Sequence, residues 1–392
     1  MINIFFLILI TGTSQFFGMP MINKALVISF MFYLSLMSMI KFELKIPRNV
    51  RYEILISTFF LSYSFCSFLW GGNLITFLVS IQFPLVVFCL SVSSGLFTYL
   101  INENITQFVS RLTIITFFSW LFFSIVAFLL LGRPIWFYDL GVFRLSGALG
   151  VSASSILNTF VFICSVYLAY VKRIYVYYII SIVSLFCVFL SGTRISLLAC
   201  AISICAMVIF SKSQYKKLVL LSGVPIFLYI LWEKIISRLF FGGISNASFE
   251  NINFNGRKYL WELLFNNMKS TGDNIFGMGL GESISLLMEK AQGVGIQPHN
   301  DFIRIYHDLG FLGLSLFLLL LLYMITKLLV FIFKYNEKDA CDEYVLSLCL
   351  MLSLLLVMLT DNAYIYPFFF VPIMTVYFVC VNYSSINNKK VL

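Results

Sequence analysis

Pro298-His299-Asn300-Asp301-Phe302-Ile303-Arg304-Ile305-Tyr306-His307-Asp308-Leu309-Gly310 runs straight into an apolar stretch, Phe311 to Phe333. The second half decides the fold. A helix needs about 20 mostly apolar residues to cross a bilayer, and Phe311 to Phe333 has that length. The first half closes the only long polar loop of the chain and holds both of its histidines. Histidine is the one side chain whose unperturbed pKa lies near neutrality. Proton-transfer chemistry, if the protein performs it, is expected here.

The rest of the chain resembles the second half. It is 61% hydrophobic, 18% aromatic and only 11% charged over 392 residues, with a mean hydropathy of +0.98. A soluble chain is roughly half apolar and about a quarter charged. So much apolar surface cannot be hidden from water, and lipid is the expected solvent. The same length rule gives about twelve spans, near 2–18, 23–40, 52–70, 74–99, 108–131, 154–171, 174–191, 194–211, 218–236, 309–333, 344–361 and 364–383. The expected fold class is all-α, a polytopic membrane helix bundle. Residues 1–236 carry spans one to nine, 237–308 form one long, partly helical loop, and 309–392 carry the last three spans and a tail. The apolar run from Ile2 to Ile10 has no Lys or Arg before it, which suits a first span better than a secretory signal.

Charge orients the bundle. Lys41, Lys45, Arg48, Arg51, Lys172, Arg173, Lys212, Lys216, Lys217, Lys334, Lys338, Lys389 and Lys390 all fall in one set of alternate loops. The opposite short loops carry only Lys24, Arg133, Arg144 and Arg194. Positive loops stay in the cytoplasm, so both termini are expected inside and, by span parity, 237–308 outside. The net charge of +9 is spread over many loops and forms no basic face, which argues against nucleic acid as a partner. The nine cysteines show no CxxC spacing, and eight of them lie in apolar runs. Neither a disulfide framework nor a metal site is expected.

The long loop has internal order. Asn255-Gly256 marks a turn, and Arg257 to Met268 has helical periodicity through Leu260, Leu263 and Leu264. Gly277-Met278-Gly279-Leu280-Gly281 is a tight turn where backbone can approach another chain or a substrate; a helical pattern precedes it, so it is no dinucleotide fingerprint. Glu282 to Gln292 forms a second short helix. Pro298 is expected in the first turn of a third, which runs on into the span after Gly310. His299 would then sit at a helix N-terminus, which favours neutral imidazole, with Asp301 acting in the opposite sense.

Arginines accompany it. Ser191-Gly192-Thr193-Arg194 is a very short outer turn, Arg257 opens the amphipathic helix, Arg144 lies in another outer loop and Arg304 follows His299 by about one turn. A guanidinium fork matches phosphate oxygens, although an interfacial anchor is the plainer role for Arg144 and Arg304. Asp361-Asn362 is a polar pair at a span end, a functional candidate by its depth. No DxD or HExxH occurs, so a metal-bound diphosphate is not indicated.

The series Ser191-Gly192-Thr193-Arg194, Asn255-Gly256-Arg257 with Trp261, Phe276-Gly277-Met278-Gly279-Leu280-Gly281, Pro298-His299-Asn300-Asp301-Phe302 and Leu309-Gly310-Phe311-Leu312-Gly313-Leu314 resembles the O-antigen polymerase and O-antigen ligase superfamily over about 190–315. The resemblance implies a metal-independent, cofactor-free glycosyltransferase of the bacterial inner membrane, acting at its periplasmic face on a glycan carried by undecaprenyl diphosphate. It implies that Arg194 and Arg257 hold the diphosphate and that His299 is the base for the acceptor hydroxyl. Arg144, Asn300, Arg304, His307 and Asp361 are further candidates for holding substrate. His307 is an extra histidine, so the base is either His299 or His307. The sequence departs from the usual pattern at His307-Asp308-Leu309-Gly310, where a glutamate more often precedes the glycine pair. The expected partners are the lipid-linked glycan donor and acceptor, membrane lipid and a chain-length regulator protein.

Three functions compete. A polymerase of O-antigen or a related surface polysaccharide is preferred by analogy with the long outer loops of such chains. An O-antigen ligase, which moves the glycan to a lipid A core, shares the donor chemistry. A flippase for lipid-linked sugars would need ionisable residues along a path through the bilayer, and here the polar residues gather at the outer face instead.

Overall fold

The computed structural model describes residues 20–41, 48–71, 73–100, 104–139, 142–210, 257–290, 297–335 and 341–390. The expected spans near 2–18 and 218–236 and the Asn255-Gly256 turn lie outside these residues. Every other expected span is a helix: α1 (Pro20–Lys41), α2 (Arg51–Cys66), α3 (Leu74–Ser80) continued by α4 (Gln82–Leu100), α5 (Ile105–Leu131), α6 (Val151–Val166), α7 (Val176–Ser191) and α8 (Arg194–Phe210). Three short helices follow, α9 (Arg257–Asn267), α10 (Thr271–Phe276) and α11 (Glu282–Lys290). Then come α12 (Asp301–Lys334), α13 (Cys341–Thr360) and α14 (Pro367–Lys390). Among the described residues six helices are long and apolar enough to cross a membrane, and four shorter ones are apolar. The protein is an all-α polytopic membrane bundle.

One small departure interrupts the helices. The outer connection between α5 and α6 folds as a two-stranded antiparallel hairpin, β1 (Trp136–Asp139) and β2 (Val142–Leu145). Aromatic residues dominate β1, and β2 adds Val142 and Phe143, which suits a pleated surface.

The core is a set of helices apolar on every side, as expected of fully enclosed spans. In α6 every residue from Ala153 to Ser165 is buried, and α13 and α14 are nearly as enclosed. Hydroxyls in these spans satisfy themselves locally, because lipid offers no partner. Ser64, Thr113, Ser124 and Thr159 each donate to the carbonyl four residues back.

Long-range polar contacts fix the two ends of the bundle. At one end Lys172 pairs with Glu343 at 2.8 Å, and Glu53 accepts from Lys327 at 2.5 Å and from the Tyr377 hydroxyl at 2.7 Å. The same end holds Arg48, Arg51 and Arg173, the loops that sequence reading assigned to one side. At the other end lie the hairpin, the α7–α8 turn, α9 to α11 and the α13–α14 connection. Helix α7 is short. At 1.5 Å per residue, its 16 residues reach about 24 Å, against roughly 30 Å of hydrocarbon. A bilayer meets such a mismatch by thinning.

Candidate functional site

The site is built around a break in α12. Gly310 has φ 64° and ψ −167°, so a short stub, Asp301 to Leu309, stands apart from the long rod that begins at Phe311. The break frees two carbonyls, and the glycine turn takes them: Met278 N–H donates to His307 O and Gly279 N–H to Asp308 O, both at 2.9 Å. No side chain fits between these strands of backbone. A Cβ on Gly277 would lie 2.4 Å from Asp308 O, and one on Gly310 would lie 2.3 Å from Ile275 O. The partner that this turn approaches so closely is its own chain. Asp308, the residue that departs from the usual pattern, accepts from the backbone of Gly281 and Ser283 at 2.9 and 2.7 Å and so caps α11 from outside.

The stub starts later than the sequence suggests. Asn300 is the N-cap, with its side-chain oxygen accepting from Phe302 and Ile303 N–H at 3.0 Å. His299 has φ 53°, a left-handed conformation that no helix can include. Pro298 is therefore outside the helix rather than in its first turn, because the asparagine cap outcompetes the proline signal.

Here distant segments meet. His299 N–H donates to Asn362 Oδ1 at 3.0 Å, its Nδ1 lies 3.0 Å from Asn362 Nδ2 and 3.4 Å from Asp361 Oδ1, and Asn300 Nδ2 donates to Leu359 O at 2.9 Å. The His299 side chain is 34% exposed and Asp361 only 2%. The carboxylate beside the imidazole is thus Asp361. Asp301, the sequence neighbour expected there, is turned inward and accepts from Tyr364 N–H at 2.8 Å. Sequence proximity suggested Asp301; the carboxylate that reaches the ring comes from the end of another span.

Arg257 reaches the same place. Its helix α9 is seated by Leu260 and Leu264, which pack with Leu286 and Leu287 of α11. Trp261 Nε1 donates to Pro298 O at 2.7 Å. Arg257, four residues earlier, shares that face. Burial pulls the guanidinium pKa below its ordinary value, and the negative charge of Asp361 opposes the shift. Trp261→Phe would keep the packing and lose one hydrogen bond. We expect it to cost about 1 kcal/mol of stability, measured as a lower unfolding midpoint of the detergent-solubilised protein; an unchanged midpoint would show the bond to be idle.

Arg194 is the first residue of α8, after Gly192 closes α7 in a left-handed cap. Thr193 bonds to Ser155 and Ser191, which docks the turn on the start of α6. The far end of α6 meets the start of α13 through Lys172 and Glu343. Helices α8 and α13 therefore run antiparallel, and Ser203 and Cys349 mark their crossing with two mutual bonds. Nine residues back from Ser203 is Arg194, and nine on from Cys349 is Met358. Arg194 thus stands level with the last turn before Asp361. A guanidinium at a helix N-terminus combines two attractions for an anion.

The remaining candidates are placed differently. Arg144 lies half-buried in the hairpin opposite Phe137. His307 is 1% exposed and faces Asp308 at 3.1 Å, enclosed behind the glycine turn. Arg304 is also enclosed, bonded to Ser80 and Gln297. Among the described residues no group of three or more His, Cys, Asp or Glu could hold a metal ion.

No curated protein matches the chain. Residues 179–318, from α7 into the rod of α12, match the model of a family described as O-Antigen ligase. The matched stretch contains Arg194, Arg257 and His299 and stops short of Asp361. Over these residues the chain is similar to that family.

Proposed function

We propose that the protein is a polymerase of O-antigen or a related surface polysaccharide. In this reading it sits in the bacterial inner membrane, with 237–308 and the His299 cluster on the periplasmic side. The donor is a glycan on undecaprenyl diphosphate and the acceptor is a sugar hydroxyl on a second lipid-linked chain. The hydroxyl oxygen attacks the anomeric carbon, the bond from that carbon to the diphosphate breaks, and undecaprenyl diphosphate leaves. Arg194 and Arg257 stabilise the charge that develops on it, a contribution that grows when donors are fixed in advance.

His299 takes the hydroxyl proton. Two neighbours compete for its Nδ1: the Asn362 amide donates to it when it is bare, and the Asp361 carboxylate accepts from it when it is protonated. In the second tautomer Nε2 is bare and can act as base, and the resulting imidazolium keeps its Nδ1 proton on Asp361. The observation that carries the proposal is the meeting of His299 with Asp361 and Asn362, more than sixty residues away in sequence, beside Arg257.

The test is a gene deletion read on a lipopolysaccharide gel. A core bearing a single repeat unit is the expected result. A bare core, with long chains stranded on the carrier lipid, would assign the ligase reaction instead, and an unchanged ladder would overturn both.

A further inference from the structure

Arg304 is one of the largest side chains that the bundle fully encloses. Its Nη2 donates to Ser80 Oγ at 2.8 Å, at the end of α3. Its Nη1 lies 3.4 Å from Gln297 Oε1, two residues before His299. The guanidinium is 5.0 Å from the centroid of the Tyr364 ring. Tyr364 belongs to the turn after Asp361 and Asn362, and is itself wedged by stacking on Phe83 at 4.5 Å. One side chain therefore touches both segments that hold the imidazole and its carboxylate, and ties them to a third.

We propose that Arg304 is a positioning residue that holds the His299 turn against Asp361 and Asn362, acting through the protein and never on substrate. The inference rests on the reading of His299 as the base. Three observations place it inside the protein rather than on substrate. Arg304 is 1% exposed, whereas Arg194 and Arg257 are partly open. Its terminal nitrogens are directed at protein oxygens on either side of the site. The acid three residues earlier on the same stub, Asp301, is fully enclosed as well and accepts from Tyr364 N–H, so this face of the stub is turned into the protein. A left-handed histidine persists only where its surroundings over-determine it, and Arg304 supplies the contact that joins those surroundings.

The test compares Arg304→Gln, Arg304→Lys, Ser80→Ala, Arg194→Ala and His299→Asn, each read as ladder intensity in cells at matched protein level and as affinity of the purified protein for undecaprenyl diphosphate. Asp301→Asn combined with Arg304→Gln keeps the interior neutral if the single variant fails to fold. Arg304→Gln is expected to lower the ladder about a hundredfold, the scale of a misplaced reacting group, with affinity for undecaprenyl diphosphate unchanged. Arg304→Lys recovers part of the loss, because it keeps the charge without the fork, and Ser80→Ala gives a partial loss. Arg194→Ala weakens the binding instead. Loss of binding in Arg304→Gln equal to that in Arg194→Ala would place Arg304 on the substrate and overturn the inference. A full ladder in Arg304→Gln, with none in His299→Asn, would overturn it and leave the base reading standing. A full ladder in His299→Asn overturns the base reading itself.

Discussion

A His299→Asn protein is expected to accumulate in the membrane at the normal level and to elongate glycan roughly 10²–10⁴-fold more slowly, the usual worth of a positioned general base. That span corresponds to about 3–5 kcal/mol of barrier. Asparagine is the informative replacement. It tolerates left-handed backbone better than alanine does, so the turn at φ 53° is kept and only the imidazole is lost. The readout is the glycan ladder at matched protein level. An undiminished ladder would remove His299 from the chemistry, and with it the significance of Asp361 beside it. The enclosed His307 offers the control: it lies behind the glycine turn, bonded to Asp308, and has no open path to an acceptor.

Gly310→Ala is expected to fail earlier, at folding. The combination φ 64°, ψ −167° is open to glycine almost alone, and the added methyl would meet Ile275 O at 2.3 Å and Gly277 N at 2.5 Å, both backbone atoms. Backbone strain of about 1–3 kcal/mol and overpacking of about 1–3 kcal/mol together remove a large part of a typical stability of about 5–15 kcal/mol. Membrane level and the unfolding midpoint in detergent measure the effect. A variant that accumulates and unfolds like the parent would mean that the break in α12 is not rigid.

The spans were legible because lipid imposes a length and a composition that nothing else in the chain imitates. Arg194, Arg257 and His299 drew attention for a related reason: polar groups beside apolar spans stand out. What sequence could not supply was pairing across distance. Asp301 was the visible neighbour of His299, yet Asp361 is the carboxylate at its ring. Arg304 read first as an interfacial anchor and second as a residue that holds substrate, yet the helix turns it inward to Ser80 and Tyr364. The glycine turn announced a close approach without saying to what, and its partner is the kink at Gly310. Local signals also compete. Proline at 298 and asparagine at 300 both mark a helix start, and the side-chain cap prevailed. The hairpin at 136–145 is too short for period-two alternation to stand out against the spans.

The meeting of His299 with Asp361 and Asn362 also sets a schedule for biosynthesis. When a ribosome has delivered the chain through α12, the imidazole is already outside the lipid, but its carboxylate has not been made. Only after α13 has been threaded back and the 361–366 turn has emerged can the left-handed loop be locked. A nascent or prematurely terminated protein lacking that final stretch would insert, yet its imidazole would have neither Asp361 nor Asn362 beside it.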